Sequence, residues 1–421
     1  MLSSKKTLNL SIMKIYLVGG AIRNKYLGLT ITDKDWVVVG ATPDIMRNLG
    51  YVAVGKSFPV YLHPQTKEEY ALARVETKSG RGYHGFTFKT HQHISIEDDL
   101  KRRDITINAI AEDENGNLID PFNGVDDIND KVLRHVSDAF GEDPLRVLRV
   151  ARFYALFKHL GFSIADETIK IMESIVASDE LHYLSAERIW QETLKALNAP
   201  TPSAYFETLQ KIGALKQLFP EIDQLFGIPQ PKEHHPEIDC GVHTMMVIDQ
   251  AAKLDLSEEA RFAALVHDLG KGTTPQSVWP KHIGHEKRGV ELVMQLCYRL
   301  RIPKRFEKLG LLVTKYHTHC HKALELKPKT IVDLFYELSA VKHPERFNDF
   351  LMACLADSRG RKGYEDHPYP QLDFLKKAQK TMLNVSTTPL IERGFKGKAL
   401  GDALLKEQTN QIRLFKDKFI K

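Results

Sequence analysis

The spacing of hydrophobic and polar positions changes about a third of the way along this chain of 421 residues. Up to residue 136, short apolar and β-branched runs such as Lys14–Val18 and Trp36–Val39 predict strands, and Asn115-Gly116 predicts a hairpin turn. Beyond residue 136 strand signals nearly vanish, and amphipathic helical patterns broken by Pro and Gly take over. The pattern therefore predicts an α+β chain, with an α/β head followed by an all-helical body.

Several elements of the head can be placed from local signals. Gly19-Gly20 follows the first strand and opens a helical stretch that ends near Gly28, and Thr42-Pro43 predicts the start of a helix that Gly50 closes. The sequence EDDLKRRDITINAIAE, residues 97–112, predicts one continuous helix. Further strands are predicted at 51–54, 58–62 and 69–74, and a mobile basic loop is predicted between 76 and 90.

Composition restricts the class of protein. Hydrophobic residues make up 43% and charged residues 27%, and no uninterrupted apolar segment approaches the ~20 residues of a membrane span, so we expect no membrane partner. Lys and Arg number 59 against 54 Asp and Glu, a net charge of +5 that permits a nucleic-acid partner without indicating one. Residues 1–12 show no signal-peptide pattern, so we expect a disordered leader, with either Met1 or Met13 as the true start.

Cysteine usage points to a reducing compartment. The chain has four cysteines and no C-x-x-C pair, which fits neither a disulfide scaffold nor a structural zinc site. We therefore expect a cytoplasmic protein. The cysteines are Cys240, Cys297, Cys320 and Cys354.

Asp33 and Asp35 stand at the entrance to a strand, where alternate residues project to one face. Two neighbouring carboxylates are unfavourable without a cation, and Mg²⁺ bound by carboxylates, water and substrate phosphates is the natural occupant. Upstream, Gly19-Gly20 would expose backbone N–H groups at a helix start, and Arg23 one turn later could clamp the same anion. Each feature alone is usually a solvated turn, but their combination predicts a metal-dependent nucleotidyltransferase site.

These motifs resemble the class II nucleotidyltransferases, the family shared by tRNA CCA-adding enzymes and bacterial poly(A) polymerases. The resemblance rests on Gly19-Gly20-Ala-Ile-Arg23, Leu27-Gly28 and Asp33-Lys34-Asp35. It implies a polymerase-β-like head in which Asp33 and Asp35 hold two Mg²⁺ ions. It also implies a third carboxylate, which would fall on Glu69, with Glu68 as its immediate competitor.

Two arginine-rich motifs extend the resemblance. Lys101-Arg102-Arg103-Asp104 reads by itself as a charged helix face, but the family motif implies Arg103 on phosphate and Asp104 near the ribose hydroxyls. Arg146, Arg149 and Arg152 are spaced by three residues and predict a positive stripe on a helix that begins at Asp143-Pro144. We expect a concentrated positive surface and not arginines paired with acidic residues one turn away on this helix. The resemblance implies that Asp143 and Arg146 read the Watson–Crick edge of CTP and ATP. It implies further nucleotide contacts from Gly20, Arg23, Arg149 and Arg152.

Histidines concentrate in the second half and resemble the HD phosphohydrolase pattern. His267-Asp268 closes the apolar helix FAALVHDLG, so an imidazole and a carboxylate emerge together. The resemblance implies that His243, His267, Asp268 and Asp357 hold a divalent ion, for which Ni²⁺, Mn²⁺ or Zn²⁺ suits the donors better than Mg²⁺ does. His285 and His317 are assigned to phosphate contacts. The remaining histidines, His234, His235, His319 and His321, are assigned to the surface or to positions behind the ligands.

The order of motifs predicts the domains and the function. We expect the leader over 1–12, the head over 13–136, a helical neck over 137–226, an HD domain over 227–341 and a helical tail over 342–421 that contributes Asp357. The resemblance implies addition of CCA to tRNA from CTP and ATP, with phosphatase and 2′,3′-cyclic phosphodiesterase activity in the HD domain. We expect the protein to be a monomer or homodimer. Alternatives are a poly(A) polymerase or partial adder, a nucleotide-signalling phosphohydrolase, and a non-catalytic RNA chaperone.

Overall fold

The computed structural model describes residues 13–54, 60–78, 86–89, 92–232 and 236–419. The predicted leader, His234, His235 and residues 79–85 of the predicted basic loop lie outside the described residues. The chain forms two compact units, of which the first comprises residues 1–192 and 207–218 and the second comprises 193–206 and 219–421. No described helix combines the length and the apolar character needed to cross a membrane.

A seven-stranded mixed sheet organises the head. Its strands are β1 (Lys14–Val18), β2 (Asp35–Val39), β3 (Val52–Val54), β4 (Val60–Leu62), β5 (Glu69–Leu72), β8 (Ala111–Glu112) and β9 (Leu118–Ile119). Their order in the sheet is β3-β4-β5-β2-β1-β8-β9, and among these strands only the central β2–β5 pair is parallel. The flanks of the predicted basic loop form a separate hairpin of β6 (Val75–Lys78) and β7 (Phe86–Lys89), so the loop is shorter than the sequence indicates.

Both faces of the central strand are buried. Val37 belongs to one apolar cluster, with Leu100, and Val38 belongs to another, with Met46 and Tyr70. Because side chains alternate along a strand, this continuous apolar run is the pattern of a strand covered on both sides. The helices of the head are α1 (Gly20–Tyr26), α2 (Pro43–Asn48), α3 (Ile96–Lys101) and α4 (Gly124–Asn129).

The long helix predicted over 97–112 is wrong. Helix α3 begins in a capping box formed by Ser95 and Asp98 and ends at Lys101. A 3₁₀ turn follows at Thr106–Asn108, and Ala111–Glu112 joins the sheet as β8. Helical propensity is a weak prior, and here the sheet captures apolar residues that a single helix would leave on several faces.

Among the described residues, the remaining elements are helical apart from two short strands, β10 (Val132–Leu133) and β11 (Ser163–Ile164), which pair in parallel. The helix predicted after Asp143 is confirmed as α5 (Leu145–Phe157), with Val147, Leu148, Val150 and Ala151 buried. It is followed by α6 (Asp166–Ala177), α7 (Ala186–Leu197), α8 (Ser203–Lys211) and α9 (Ala214–Leu218).

The second unit is built around a helical core. Its helices are α10 (Pro220–Asp223), α11 (Cys240–Lys253), α12 (Glu258–Val266), α13 (His285–Arg299), α14 (Lys304–His321), α15 (Pro328–Glu337), α16 (Pro344–Arg359), α17 (Pro370–Leu383), α18 (Thr388–Glu392) and α19 (Gly397–Phe419). The interior includes Val247 of α11, Val313 of α14 and Phe350 of α16, all fully buried. All four cysteines are buried, and none forms a disulfide, which agrees with the sequence-based expectation that the chain is not a disulfide scaffold.

Candidate active sites

Strand register brings two of the predicted carboxylates together. Asp35 opens β2 and Glu69 opens β5, and the two residues are register partners in the parallel pair. Register partners on adjacent strands project to the same face, so both carboxylates lie at one edge of the sheet. They share the face of Val37, against which α3 packs.

Glu68, the competitor for the third position, lies on the opposite face. Its carboxylate accepts a hydrogen bond from the indole Nε1 of Trp36 at 3.1 Å and lies 4.0 Å from the Lys34 ammonium. Since Trp36 and Asp35 are consecutive in a strand, their side chains point in opposite directions. The register therefore favours Glu69 over Glu68 as a neighbour of Asp35.

Asp33 precedes the strand, which begins only at Asp35, so strand alternation does not by itself place it. Both side chains remain accessible to solvent. The pKa of Asp35 is nevertheless raised, first because surrounding protein partly desolvates its carboxyl, and further by the negative charge of Asp33, while Arg103 acts in the opposite direction. The charge of Asp33 thus disfavours ionisation of Asp35, and a cation bound near both carboxylates would relieve this repulsion.

A basic cleft of about 490 Å³ adjoins Asp35 in the first unit. Seven arginines and three aspartates line it, so an anionic ligand is strongly favoured there. The predicted nucleotide residues Gly20, Arg23, Arg103, Asp104, Asp143, Arg146 and Arg149 all line this cleft, together with Arg74, Arg102, Asn108 and Arg188. Predicted residues Asp33, Glu69 and Arg152 are not part of the lining.

The glycine pair makes room for guanidinium groups. A Cβ atom on Gly19, whose φ is +69°, would lie 2.9 Å from Nη1 of Arg103, and one on Gly20 would lie 3.4 Å from Nη2 of Arg23. Gly19 N–H donates to the carbonyl of Ile110 at 3.1 Å, so this group is already engaged. The glycines therefore act here by allowing close approach of Arg23 and Arg103, in addition to any backbone contact with an anion.

Arg23 is almost fully buried and stacks near the rings of Phe153 and Phe157, 5.6 and 4.9 Å from their centroids. Its Nη1 donates to the side-chain oxygen of Asn108. Burial lowers the pKa of Arg23 to about 10, and the nearby charge of Asp104 partly offsets this. The guanidinium remains charged at neutral pH and lies on the wall of the cleft.

Asp104 is a buried anchor of the cleft. Its Oδ2 accepts from Nε and Nη2 of Arg149 at 2.7 and 2.6 Å, and its Oδ1 accepts from the Ile105 N–H and the Asn108 amide. Burial alone would raise the pKa of Asp104, but the Arg149 charge and these hydrogen bonds hold it well below its usual range. In this arrangement Asp104 fixes the direction of Arg149.

The predicted base-reading pair is held by residues that the sequence pattern does not reveal. Asp143 accepts from Nη2 of Arg188 at 2.8 Å and from the backbone N–H of Leu145 at 3.0 Å. The buried Arg146 donates to the carbonyls of Ala139 and Arg102, each at 2.6 Å. The pair is therefore pre-oriented from α7 and from the turn after α3.

The prediction of an unpaired arginine stripe is wrong. Glu192, almost completely buried on α7, accepts from Nε of Arg152 at 2.6 Å and lies 3.9 Å from Nη1 of Arg149. Arg152 also stacks 4.0 Å from the centroid of Phe153. Acidic partners come from α7 and from Asp104, not from positions one turn away on the same helix, so the sequence of α5 alone could not reveal them.

The second site gathers histidines from three helices and from the position that follows a fourth. His267 lies one residue beyond the last residue of α12, as predicted, and His243, His285 and His317 lie on α11, α13 and α14. Each Nδ1 atom lies 2.8–3.1 Å from a backbone carbonyl oxygen. The pairs are His243 with Gly360, His267 with Ala264, His285 with His282, and His317 with Val313. A carbonyl can only accept, so each Nδ1 donates to it, and in the neutral form of each ring the Nε2 lone pair is left to bind another group.

Two carboxylates complete this site. Asp357 Oδ1 lies 3.1 Å from His243 Nε2 and 3.6 Å from His267 Nε2, and Asp268 Oδ2 lies 3.1 Å from His267 Nε2. Burial lowers the pKa of His267, but Asp268 and Asp357 outweigh this and raise it to about 9. The four predicted ligands thus lie in one cluster of contacts, in which the ligand atoms of His243, His267 and Asp268 are within 4.8 Å of one another and Asp357 contacts the two histidines.

The structure adds residues that the sequence analysis left aside. Lys271 is buried and donates to Asp268 Oδ2 at 2.6 Å. His321, assigned to the surface or behind the ligands, contacts Asp357 Oδ2 at 2.7 Å, and Tyr369 holds its other ring nitrogen at 2.8 Å. His319 packs instead on Tyr316. The helical spacing of His317 and His321 (i, i+4) is the signal that could have linked His321 to the site.

Family profiles match three parts of the chain. The poly A polymerase head domain matches residues 15–134, the family described as "Probable RNA and SrmB- binding site of polymerase A" matches 161–226, and the HD domain matches 241–339. The head-domain profile comes first and covers the site in the head, and the HD profile comes last and covers the helices that carry His243, His285 and His317.

Curated relatives decide the family. The multifunctional CCA protein of Hahella chejuensis is 52% identical over 404 residues, covering 96% of this chain and 96% of the relative. That of Vibrio vulnificus (strain YJ016) is 54% identical over 401 residues, covering 95% and 98%. The chain belongs to the multifunctional CCA protein family.

Solved structures of CCA-adding enzymes share the fold of this multifunctional CCA family member. The Thermotoga maritima CCA-adding enzyme complexed with tRNA has a TM-score of 0.63 at 20% identity, covering 98% of this chain and 91% of that one. The Bacillus stearothermophilus enzyme in complex with CTP has a TM-score of 0.61 at 23% identity, covering 97% and 93%. The predicted α+β architecture, with a polymerase head and a helical body, is confirmed.

Metal-ligand geometry differs between the two sites of this family member. Among the described residues, two sets of three ligand atoms lie within 4.8 Å of one another, namely His243, His267 and Asp268, and Asp268, His285 and His317. Asp33, Asp35 and Glu69 do not form such a set. The histidine site is therefore pre-organised for a metal through its buried helices, whereas the head carboxylates lie at solvent-accessible strand ends.

Donor chemistry fits the expected ions. In the part of the chain that the structure describes, the buried His267 Nε2 and Asp268 Oδ1 contact carboxylate or imidazole groups at 3.1–3.6 Å but make no hydrogen bond of normal geometry. Buried polar atoms that lack partners are costly, and a transition-metal ion would satisfy imidazole nitrogen and carboxylate oxygen together. At the head, the oxygen-only set of Asp33, Asp35 and Glu69 suits Mg²⁺.

Proposed function

We propose that this protein adds the 3′-terminal CCA to tRNA from CTP and ATP without a nucleic-acid template. The observation that carries this proposal is the register pairing of Asp35 and Glu69 beside a cleft lined by seven arginines. The similar solved structures include complexes of CCA-adding enzymes with ATP, tRNA and CTP, which support the same substrates.

The head residues divide the work of such a reaction. Asp33, Asp35 and Glu69 would hold Mg²⁺, which when bound supplies the positive charge that favours deprotonation of a 3′-hydroxyl and stabilises the departing pyrophosphate. Arg23 and Arg103 line the cleft beside Asp35 and suit the triphosphate.

Base selection would fall to Asp143 and Arg146. Cytosine and adenine both offer an exocyclic amine to a carboxylate such as Asp143, whereas uracil and guanine present a carbonyl at that position. Arg188 and the backbone carbonyls of Ala139 and Arg102 hold the pair in one orientation. Arg149, directed by Asp104, and Arg152, paired with Glu192, would complete the nucleotide contacts.

A four-nucleotide extension assay tests this function. Purified protein is given a tRNA that ends at the discriminator base, together with CTP, ATP, UTP and GTP, and the products are sequenced. Addition of C-C-A supports the proposal. Long A tracts would instead indicate a poly(A) polymerase, CC or A alone would indicate a partial adder, and no extension would favour an RNA chaperone.

We also propose a phosphohydrolase function for the HD domain, as a phosphatase and 2′,3′-cyclic phosphodiesterase that repairs RNA ends. Convergent Nε2 atoms of His243 and His267 beside Asp268 and Asp357 carry this second proposal. These four residues would hold Ni²⁺ or another divalent transition ion, whose charge would polarise a phosphoryl oxygen. An adjoining cleft of about 600 Å³, lined by Lys322 and Arg361 among others, has the charge to receive phosphate.

Variants separate the two functions. Asp33→Ala should abolish nucleotide addition and leave hydrolysis of 2′,3′-cyclic AMP unchanged, whereas His267→Ala should do the reverse. If His267→Ala retained full hydrolysis, the HD proposal would fail while the nucleotidyltransferase proposal stood. If only the hydrolase activity were found, the chain would be a nucleotide-directed phosphohydrolase. A cytoplasmic setting and a monomeric or dimeric state are part of the same proposal.

A further inference from the structure

Three flat side chains, Arg361, Tyr364 and His367, form a planar stack in the cleft beside the histidine site. The guanidinium carbon of Arg361 lies 4.5 Å from the ring centroid of Tyr364, and the His367 ring centroid lies 4.5 Å from that of Tyr364 at an interplanar angle of 35°. All three side chains line the cleft of about 600 Å³ that Asp268 and Asp357 also line. They lie beyond the segment that the HD profile matches, which ends at residue 339.

The planar stack belongs to a loop, residues 360–369, that contacts the histidine site at both ends. At its start, the carbonyl of Gly360 accepts from Nδ1 of His243 at 3.1 Å. At its end, the hydroxyl of Tyr369 lies 2.8 Å from Nδ1 of His321. Because the loop is joined to two histidines of the site, the planar stack has a defined position relative to them.

Backbone contacts with α11 fix the loop further. A Cβ atom on Gly360 would lie 2.5 Å from Cγ2 of Val247, so the two segments pack in direct backbone contact. The side-chain amide of Gln250, also on α11, donates to the carbonyl of Glu365 at 3.2 Å. The planar stack is therefore carried by an anchored loop, and a ligand that binds there does not have to order it first.

The cleft suits two different parts of one ligand. Aromatic rings and guanidinium planes bind nucleobases by stacking, and a guanidinium adds a cation–π contribution. His367 is exposed and Tyr364 is half-buried, so both rings have surface that a ligand can reach. Lys271 and Lys322 line the same cleft, and their positive charges favour a phosphate. The volume of the cleft lies in the range of small-molecule sites.

We propose that Arg361, Tyr364 and His367 form a nucleobase subsite, so that the HD domain acts on nucleoside phosphate esters whose base stacks in this cleft. The inference rests on the proposed hydrolase function of the same site and deepens it by naming its substrate class. Stacking contacts the face of a base and not its hydrogen-bonding edge, so the subsite accepts all four bases. An ester that lacks a base is held through its phosphate and sugar alone.

A pair of esters that differ only in the base tests this subsite. The full chain is given 2′,3′-cyclic AMP or methyl ribofuranoside 2′,3′-cyclic phosphate, which has the same ester and no base. We expect the unmodified protein to prefer the nucleotide, and Tyr364→Ala to lower the ratio of the two kcat/KM values by about tenfold. The change should appear mainly in KM, because the planar stack binds the base and not the reacting phosphate. His367→Ala should lower the same ratio.

Matched variants control for the loss of a tyrosine. Tyr298→Ala removes a tyrosine of α13 that is 89% exposed, and it should leave the ratio unchanged. Tyr364→Phe keeps the ring and should also keep the ratio. If Tyr364→Ala fails to fold, judged by its circular dichroism, the exposed His367 provides the test variant. An unchanged ratio in the folded variant would overturn the nucleobase subsite.

Fluorescence gives a second measurement that does not depend on turnover. Tyr364→Trp keeps a flat ring in the cleft, and adenosine 2′-phosphate should quench its emission, whereas methyl ribofuranoside 2-phosphate should not. The unmodified chain provides the background from the native tryptophans. Quenching no greater than that background would overturn the subsite. Quenching of the variant, without hydrolysis of either ester by the unmodified protein, would remove the proposed hydrolase function and leave the nucleobase subsite in place.

Discussion

Asp35 and Glu69 are register partners on the two parallel strands at the centre of the head sheet. This pairing places residues 34 positions apart in sequence on one face and directs the adjacent Glu68 to the other, where it binds the Trp36 indole. The contact with Trp36, whose side chain points away from that of Asp35 in β2, thus separates two neighbouring carboxylates that the sequence leaves as competitors.

Replacing Glu69 should impair nucleotide addition far more than replacing Glu68. Glu69→Gln removes a charge beside Asp35, and loss of several kcal/mol of charge stabilisation corresponds to a roughly 100-fold or greater fall in kcat. Glu68→Gln keeps an oxygen that can accept from Trp36 and should change kcat by less than about threefold. Single-turnover CTP addition measures both, and equal losses would contradict the assignment.

Loss of Arg188 should relax base selection. Its Nη2 donates to Asp143, so Arg188→Ala frees that carboxylate to turn away from the base edge. We expect discrimination between CTP and UTP to fall by about tenfold, the size of one weakened base contact of ~1–3 kcal/mol. Relative kcat/KM values for the two nucleotides measure this.

Arg47→Ala is the matched control for that experiment, because Arg47 is exposed and pairs only locally with Asp44 in the described structure. It should leave discrimination unchanged. Arg188→Lys should restore part of it, since an ammonium can still donate to Asp143. Unchanged selectivity in Arg188→Ala would exclude a positioning role for this arginine.

Acid should weaken the head through Asp99 and Asp104. Burial opposes ionisation of Asp99, but Arg102 and Arg103 outweigh it, and the pKa of each of the two carboxyls lies below its usual range. Their contribution to the free energy of unfolding is therefore present above an unfolded-state pKa of about 3.9 and is lost as pH falls towards the folded-state pKa.

Hydrogen exchange of head peptides between pH 7 and pH 3 measures that loss, after correction for intrinsic exchange rates. Asp104→Asn should lower the stability of the head at pH 7 by ~1–3 kcal/mol, because Arg149 loses its charged partner, and should make stability less dependent on acid. An acid dependence equal to that of the unmodified protein would contradict this account.

Gly270→Ala should distort the histidine site and destabilise the second unit. The added Cβ would collide with the His285 carbonyl, and forced separation of packed backbones costs ~1–3 kcal/mol. Gly401→Ala is the matched control, since nothing lies within 4 Å of a Cβ on this helical glycine, and it should stabilise the protein by ~0.5–1 kcal/mol. Thermal unfolding measures both, and an unchanged midpoint for Gly270→Ala would contradict the close-packed turn.

The amino-acid sequence by itself determined the order of an α/β head and a helical body, and it located the motifs that name the family. It did so because strand and helix periodicities, the glycine pair, the Asp-x-Asp pair and the His-Asp pair are local patterns of residue type and spacing. The helix after Asp143 and the turn after His267 follow from the same local signals.

Tertiary structure decided which partners those motifs have. Arg188 lines the cleft from α7, about 40 residues beyond the arginines of α5, and Glu192 of the same helix pairs with Arg152. The packing of α13 and α14 places His285 and His317 against one oxygen of Asp268 and leaves the other to His267. The sheet also shortened the helix predicted over 97–112. Long-range hydrogen bonds, ion pairs and strand register depend on how distant segments meet, and no spacing within one segment encodes them.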